Sequence, residues 1–105
     1  DKAPKKVRKL KPLRIANQQV LFWTPPKGKA WQNEAVRYVV YHFAKGEPVN
    51  LDDASHIVCI TADCHHEIVG EPGRYVYYVT ALNRLANESR PVKAKVTVKE
   101  KEPQS

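Results

Sequence analysis

The sequence predicts an all-β fold, a seven-stranded antiparallel β-sandwich, on three observations. The longest run of β-favouring residues, 75–83, places Tyr75, Tyr77, Val79 and Ala81 on one face of a strand. Val92, Ala94, Val96 and Val98 alternate with Lys93, Lys95, Thr97 and Lys99, the pattern of a half-buried strand with a soluble outer side. Turn-forming residues recur at spacings of about ten residues, and nowhere does an apolar period of 3.6 appear.

The elements follow in order. Residues 1–6 read as linker. Val7, Leu10, Leu13 and Ile15 form a loose apolar series for a first strand, with Pro12 tolerated at an edge or bulge. Ala16-Asn17 makes a turn, residues 18–23 a second strand, and Thr24-Pro25-Pro26-Lys27-Gly28 stops it. Residues 35–43 form a third strand, apolar on both faces, broken by Lys45-Gly46-Glu47-Pro48. Residues 50–55 are expected to make one helical turn capped by Asn50, with Asp52 and Asp53 at its positive end. Strands over 56–61 and 64–69 come next. Gly70-Glu71-Pro72-Gly73 leads into the sixth strand at 75–83, and the seventh opens at Val92. The domain thus spans 7–99, and the charged tail 100–105 is expected to be disordered.

Composition limits the function classes. A chain of 105 residues supports one domain with a modest core. Its apolar runs fall far short of the roughly 20 residues a membrane-spanning helix needs. The chain contains no Met and opens Asp-Lys-Ala-Pro, which reads as a module excised from a longer protein. The net charge of +7 is concentrated: Lys2, Lys5, Lys6, Arg8, Lys9, Lys11 and Arg14 stand against Asp1 alone in the first fourteen residues. No aromatic is interleaved there for base stacking, so nucleic acid is not an expected partner, and the lysines read first as solubilising an edge.

Leu21-Phe22-Trp23-Thr24-Pro25-Pro26, Tyr38-Val39-Val40, the run 75–83 and the following Asn87-Glu88-Ser89 together resemble a fibronectin type III domain over residues 3–99. An immunoglobulin domain would instead carry widely separated cysteines and a Trp on its third strand. The resemblance implies Trp23, Tyr38, Val40, Tyr75, Tyr77, Val79 and Ala81 as core residues. It also implies Tyr75 as the tyrosine corner, its hydroxyl bonded to backbone upstream. Val69 stands where the family usually has Leu, Pro72 is shifted by one, and Ala86 occupies a place often held by Gly. No Arg-Gly-Asp triplet is present, so integrin binding does not carry over. Residues 38–51, 57–61 and 81–89 are further similar to the module at the C-terminus of bacterial glycosyl-hydrolase-like lipoproteins, many from Bacteroidota. That similarity implies an exported chain, extracellular, periplasmic or envelope-attached, whose catalytic carboxylates lie in a preceding domain.

Chemistry within the chain itself is not expected. Cys59, Cys64, His65 and His66 form the one cluster of soft ligands, but their spacing does not suit a structural zinc site. Free buried thiols, a hairpin disulfide and a metal site all stay open at this point. Asp52, Asp53, Glu67 and Glu71 fall in loops or on outward positions, and no nucleophile elbow or phosphate loop is present. The chain is expected to be no enzyme, with no cofactor and no metal site.

What remains is binding. Trp31, in the loop after the second strand, is a candidate glycan contact. With Tyr38 and Val40 inward, Val39, Tyr41 and Phe43 point outward, as do Val76, Tyr78 and Leu82. Third and sixth strands pair in the resembled family, so these six residues are expected to form one apolar docking patch. The leading expectation is a monomeric, non-catalytic accessory module, a spacer or a dock for the neighbouring catalytic domain. The alternative is an independent binding module, for polysaccharide through Trp31 or for a polyanion through the basic arm.

Overall fold

A computed structural model describes residues 3–27 and 34–99. The strands are β1 (Arg8–Ile15), β2 (Gln18–Thr24), β3 (Arg37–Ala44), β4 (Ile57–Thr61), β5 (His65–Glu67), β6 (Gly73–Leu82) and β7 (Val92–Val98). They form two antiparallel sheets, one ordered β1-β2-β5 and the other β4-β3-β6-β7. The fold is a β-sandwich.

Register follows from pattern. In β3 and β6, Tyr38 sits opposite Ala81 and Val40 opposite Val79, so the inward sets of both strands coincide. Trp23 and Leu21 of β2 meet them from the other sheet, and Ala94 and Val96 of β7 complete the main core. The Trp23 and Tyr38 rings pack edge-on at 5.5 Å, an arrangement favoured by the ring quadrupoles. Tyr75 lies half-buried at the margin of this core, and its hydroxyl donates to the Glu71 carbonyl at 2.8 Å. Gly73 has φ +153°, and a Cβ there would stand 3.3 Å from the Tyr75 hydroxyl, so glycine lets the ring lie against its own strand.

Differences from the sequence reading are local. β1 carries a bulge between Arg8 and Lys11, with Lys9 at φ +54°, while Pro12 keeps its place in register opposite Leu21 on the edge strand. The helical turn lies at Ala54–His56 and not at 50–55. Asp53 caps it, and Asn50 accepts the Asp52 amide in a turn of its own. The fifth strand is shorter than expected because the chain must leave one sheet for the other. Ile68 turns inward while Val69 is 76% exposed. Pro4, in the stretch expected as linker, is buried against the fold, as is Val7 at the start of the expected domain. The tail 100–105 is outside the described residues.

Candidate functional site

Alternation sends Val39, Tyr41 and Phe43 to the outer side of β3, as the pattern requires, yet the surface there is closed. These residues are 4%, 3% and 0% exposed. They form a second core with Leu51, Ile57, Tyr78 and Leu82 packed against it, and Val76 half-buried opposite Phe43. The free docking patch expected from the sequence is therefore corrected: the connection from β3 to β4 folds back over it. An apolar row on an outer sheet face loses water contact when the following loop supplies apolar side chains of its own. Here Leu51, His56 and Ile57 do so, and the His56 ring stacks on Phe43 at 4.3 Å. Tyr78 meets Phe43 edge-on at 5.8 Å.

The loop is held by its own polar groups. Gly46 at φ +86° permits the tight reversal in which the Glu47 amide bonds the Ala44 carbonyl at 3.0 Å. Glu47 Oε1 accepts the Ala44 amide at 3.0 Å. Asp53 Oδ1 accepts both the hydroxyl and the amide of Ser55, at 2.7 and 3.0 Å, which holds this carboxyl below its ordinary value. His56 Nδ1 donates to the His42 carbonyl at 3.1 Å, leaving Nε2 facing Glu47 at 3.5 Å and Asp53 at 3.8 Å.

At the other end of the closed face, the hydroxyls of Tyr41 and Thr80 both donate to Glu88 Oε2. Burial, and then the Glu88 carboxylate, push the Tyr41 phenol well above the usual tyrosine range. The β6–β7 loop positions Glu88 through named contacts. Asn83 Oδ1 accepts the Leu85 and Asn87 amides, each at 3.0 Å, and Ser89 Oγ accepts the Ala81 amide at 2.8 Å. Ala86 takes the left-handed φ of +62° that the loop demands, at the position where the resembled family often has Gly.

The remaining expectations sort plainly. Trp31 lies outside the described residues. Cys59 and Cys64 are free and half-buried, and the Cys64 thiol donates to the Tyr38 hydroxyl at 3.7 Å. Burial first, with Cys64 beside it, raises the Tyr38 phenol. His65 and His66 point to opposite faces of β5, one exposed near Phe22 and the other half-buried against Tyr77. Among the described residues, no group of three or more His, Cys, Asp or Glu is placed to hold a metal. Asp52, Asp53, Glu67 and Glu71 are all exposed.

One arrangement has no counterpart in the sequence reading. Lys5, Lys6 and Arg8 of the basic arm join Lys27 and Arg90, with Glu88, around an open cavity of about 640 Å³. Lys27 and Arg90 belong to no motif, and only the sheet topology brings them beside the arm. The signal in the sequence was the clustered positive charge, which locates one wall and not the other.

Comparison with known proteins bears on fold. No family model matches the sequence, and no curated protein does. Among solved structures, the chain is similar to the spore cortex lytic enzyme SleM of Clostridium perfringens, with a TM-score of 0.62 and 11% identity. The match covers 91% of this chain and 29% of that one, so the chain spans less than a third of the enzyme's length. At that identity the likeness is one of fold.

Proposed function

We propose that the chain is a non-catalytic accessory module of the fibronectin type III kind, acting as a spacer beside a carbohydrate-active domain of an exported protein. The observation that carries this reading is the division of strands, β1-β2-β5 against β4-β3-β6-β7, together with the Tyr75 hydroxyl bonded to the Glu71 carbonyl. Within that division β3 pairs with β6, and this pairing and the Tyr75 bond are what the resemblance implies; the second needs a tyrosine at one particular place. The likeness of fold to part of a lytic enzyme is compatible with such a module accompanying a hydrolytic domain. Spacing is favoured over docking through β3 and β6, because the chain's own loop occupies that face.

The test is a deletion. The protein encoded by the gene, with and without residues 7–99, is compared for glycoside hydrolysis and thermal unfolding. Turnover should survive the deletion. Loss of kcat while the remaining protein stays folded would refute a non-catalytic role, and a gene product with no carbohydrate-active domain would refute the wider assignment.

A further inference from the structure

We propose that the cavity between the basic arm, Lys27 and the β6–β7 loop is a binding site for an acidic polysaccharide. Three segments distant in sequence build it: residues 3–8 ahead of and into β1, Lys27 past the end of β2, and Glu88 with Arg90 ahead of β7. Five of its lining residues are cationic and one is a carboxylate. The ion pairs among the described residues are those of His56 with Glu47 and Asp53, so no described carboxylate lies within pairing distance of these cations. Glu88, the one acid present, already has Oε2 occupied by the Tyr41 and Thr80 hydroxyls.

The site is fixed where it needs to be. Val7 is 2% exposed and Pro4 is buried, which ties the arm to the fold. The Arg8 Nε donates to the Pro25 carbonyl at 2.9 Å, clamping the arm to the exit of β2. Ser89, between the two loop residues that line the cavity, bonds Ala81 through backbone and side chain alike. Like charges gathered around one cavity repel one another, and an anion entering it lessens that repulsion.

The lining also chooses among anions. A volume of about 640 Å³ is more than a lone inorganic anion fills and falls in the range of sites for extended small ligands. Among the described residues no aromatic lines the cavity, so these residues offer no stacking surface of the kind single-stranded nucleic acid requires. The carboxylate of Glu88 adds an acceptor for hydroxyl donors beside the cations, which a sugar supplies and a lone phosphate does not. Carboxylate groups alternating with hydroxyls along an apolar ring, as in a uronic-acid oligosaccharide, fit all three features. This inference does not depend on the accessory-module reading, since a spacer needs no ligand.

The experiment titrates the 105-residue chain, followed by calorimetry at low salt, with oligogalacturonate, a neutral oligosaccharide of equal length, inorganic phosphate and a single-stranded DNA oligonucleotide. Oligogalacturonate should bind, more weakly as salt is raised, with the neutral sugar and phosphate failing and DNA at least about tenfold weaker. Lys27→Gln with Arg90→Gln should weaken the uronate by about tenfold, while Lys93→Gln with Lys95→Gln, the same charge change on β7, should leave it within about twofold. Exposure of all four side chains keeps folding intact, which circular dichroism checks; Lys6→Gln with Lys27→Gln replaces the first pair should it fail to fold. Absence of uronate binding, equal loss in the β7 variant, or DNA binding as tightly as uronate would each overturn the proposal.

Discussion

Ala86→Gly is expected to stabilise the protein, against the usual cost of placing glycine in a folded chain. Ala86 sits at φ +62°, where an L-residue's Cβ crowds its own carbonyl at a cost of about 1–2 kcal/mol. Glycine removes that cost but gives the unfolded chain more freedom, worth about 0.4–1 kcal/mol in the opposite direction. The side chain is exposed, so no packing is lost. The net gain is about 0.5–1 kcal/mol, which for a domain of this size raises Tm by about 2–8 °C. Ala62→Gly is the control: it is also exposed in a turn, but without positive φ, and it should lower Tm by a few degrees. Thermal unfolding followed by circular dichroism reads both. A fall in Tm for Ala86→Gly, or shifts of the same sign in both variants, would refute the assignment of strain to this loop.

Tyr41→Phe removes one donor to the Glu88 carboxylate without opening a cavity, and should cost about 1.5 kcal/mol in urea unfolding, with the Glu88→Gln double variant less than additive. Full additivity would mean the two groups do not interact. Tyr75→Phe should cost about 1 kcal/mol through the lost bond to the Glu71 carbonyl, measured the same way. Acid should destabilise the fold before its carboxylates titrate. Burial holds the His42 and His66 imidazoles below their ordinary value of 6.5, so the unfolded chain takes up protons first. The corresponding stability is complete above about pH 6.5 and is lost as pH falls below it. Urea midpoints between pH 7.5 and 5 should therefore decline, and His66→Gln with His42→Gln should flatten the decline.

The main core was legible because alternation and register carry the same information. Once Tyr75, Tyr77, Val79 and Ala81 define an inward set in β6, the pairing with β3 requires Tyr38 and Val40 to share that face, and they do. The outer face was legible in direction but not in burial. Period-two pattern says which side a residue takes and nothing about what lies above it. Val39, Tyr41 and Phe43 were as apolar as a core because they are one, and the cover comes from Leu51 and His56, on a loop whose own pattern is polar. The helical turn moved for a related reason: Asn50 and Asp53 are equally good caps, and the choice fell to the position that lets His56 reach Phe43.

A sheet whose faces are largely covered leaves strand ends and loops as the freer surface. Val39, Tyr41 and Phe43 are buried, and Val76, Tyr78 and Leu82 are half-buried, so β3 and β6 present little apolar area of their own. At one end of the sandwich the start of β1, the exit of β2 and the approach to β7 converge, because antiparallel order across two sheets brings these three chain segments together. Cations scattered over more than eighty residues of sequence become neighbours there. Residues read as a solubilising arm in one dimension then face Lys27 and Arg90 across a cavity in three. Closure of the outer face and charge at the end are linked through one side chain. Glu88 accepts the hydroxyls that seal Tyr41 and Thr80, and the same bonds hold its carboxylate at the cavity wall. Glu88→Gln should accordingly be felt twice, as a loss of stability through Tyr41 and as a change in how the cavity discriminates between sugar and phosphodiester.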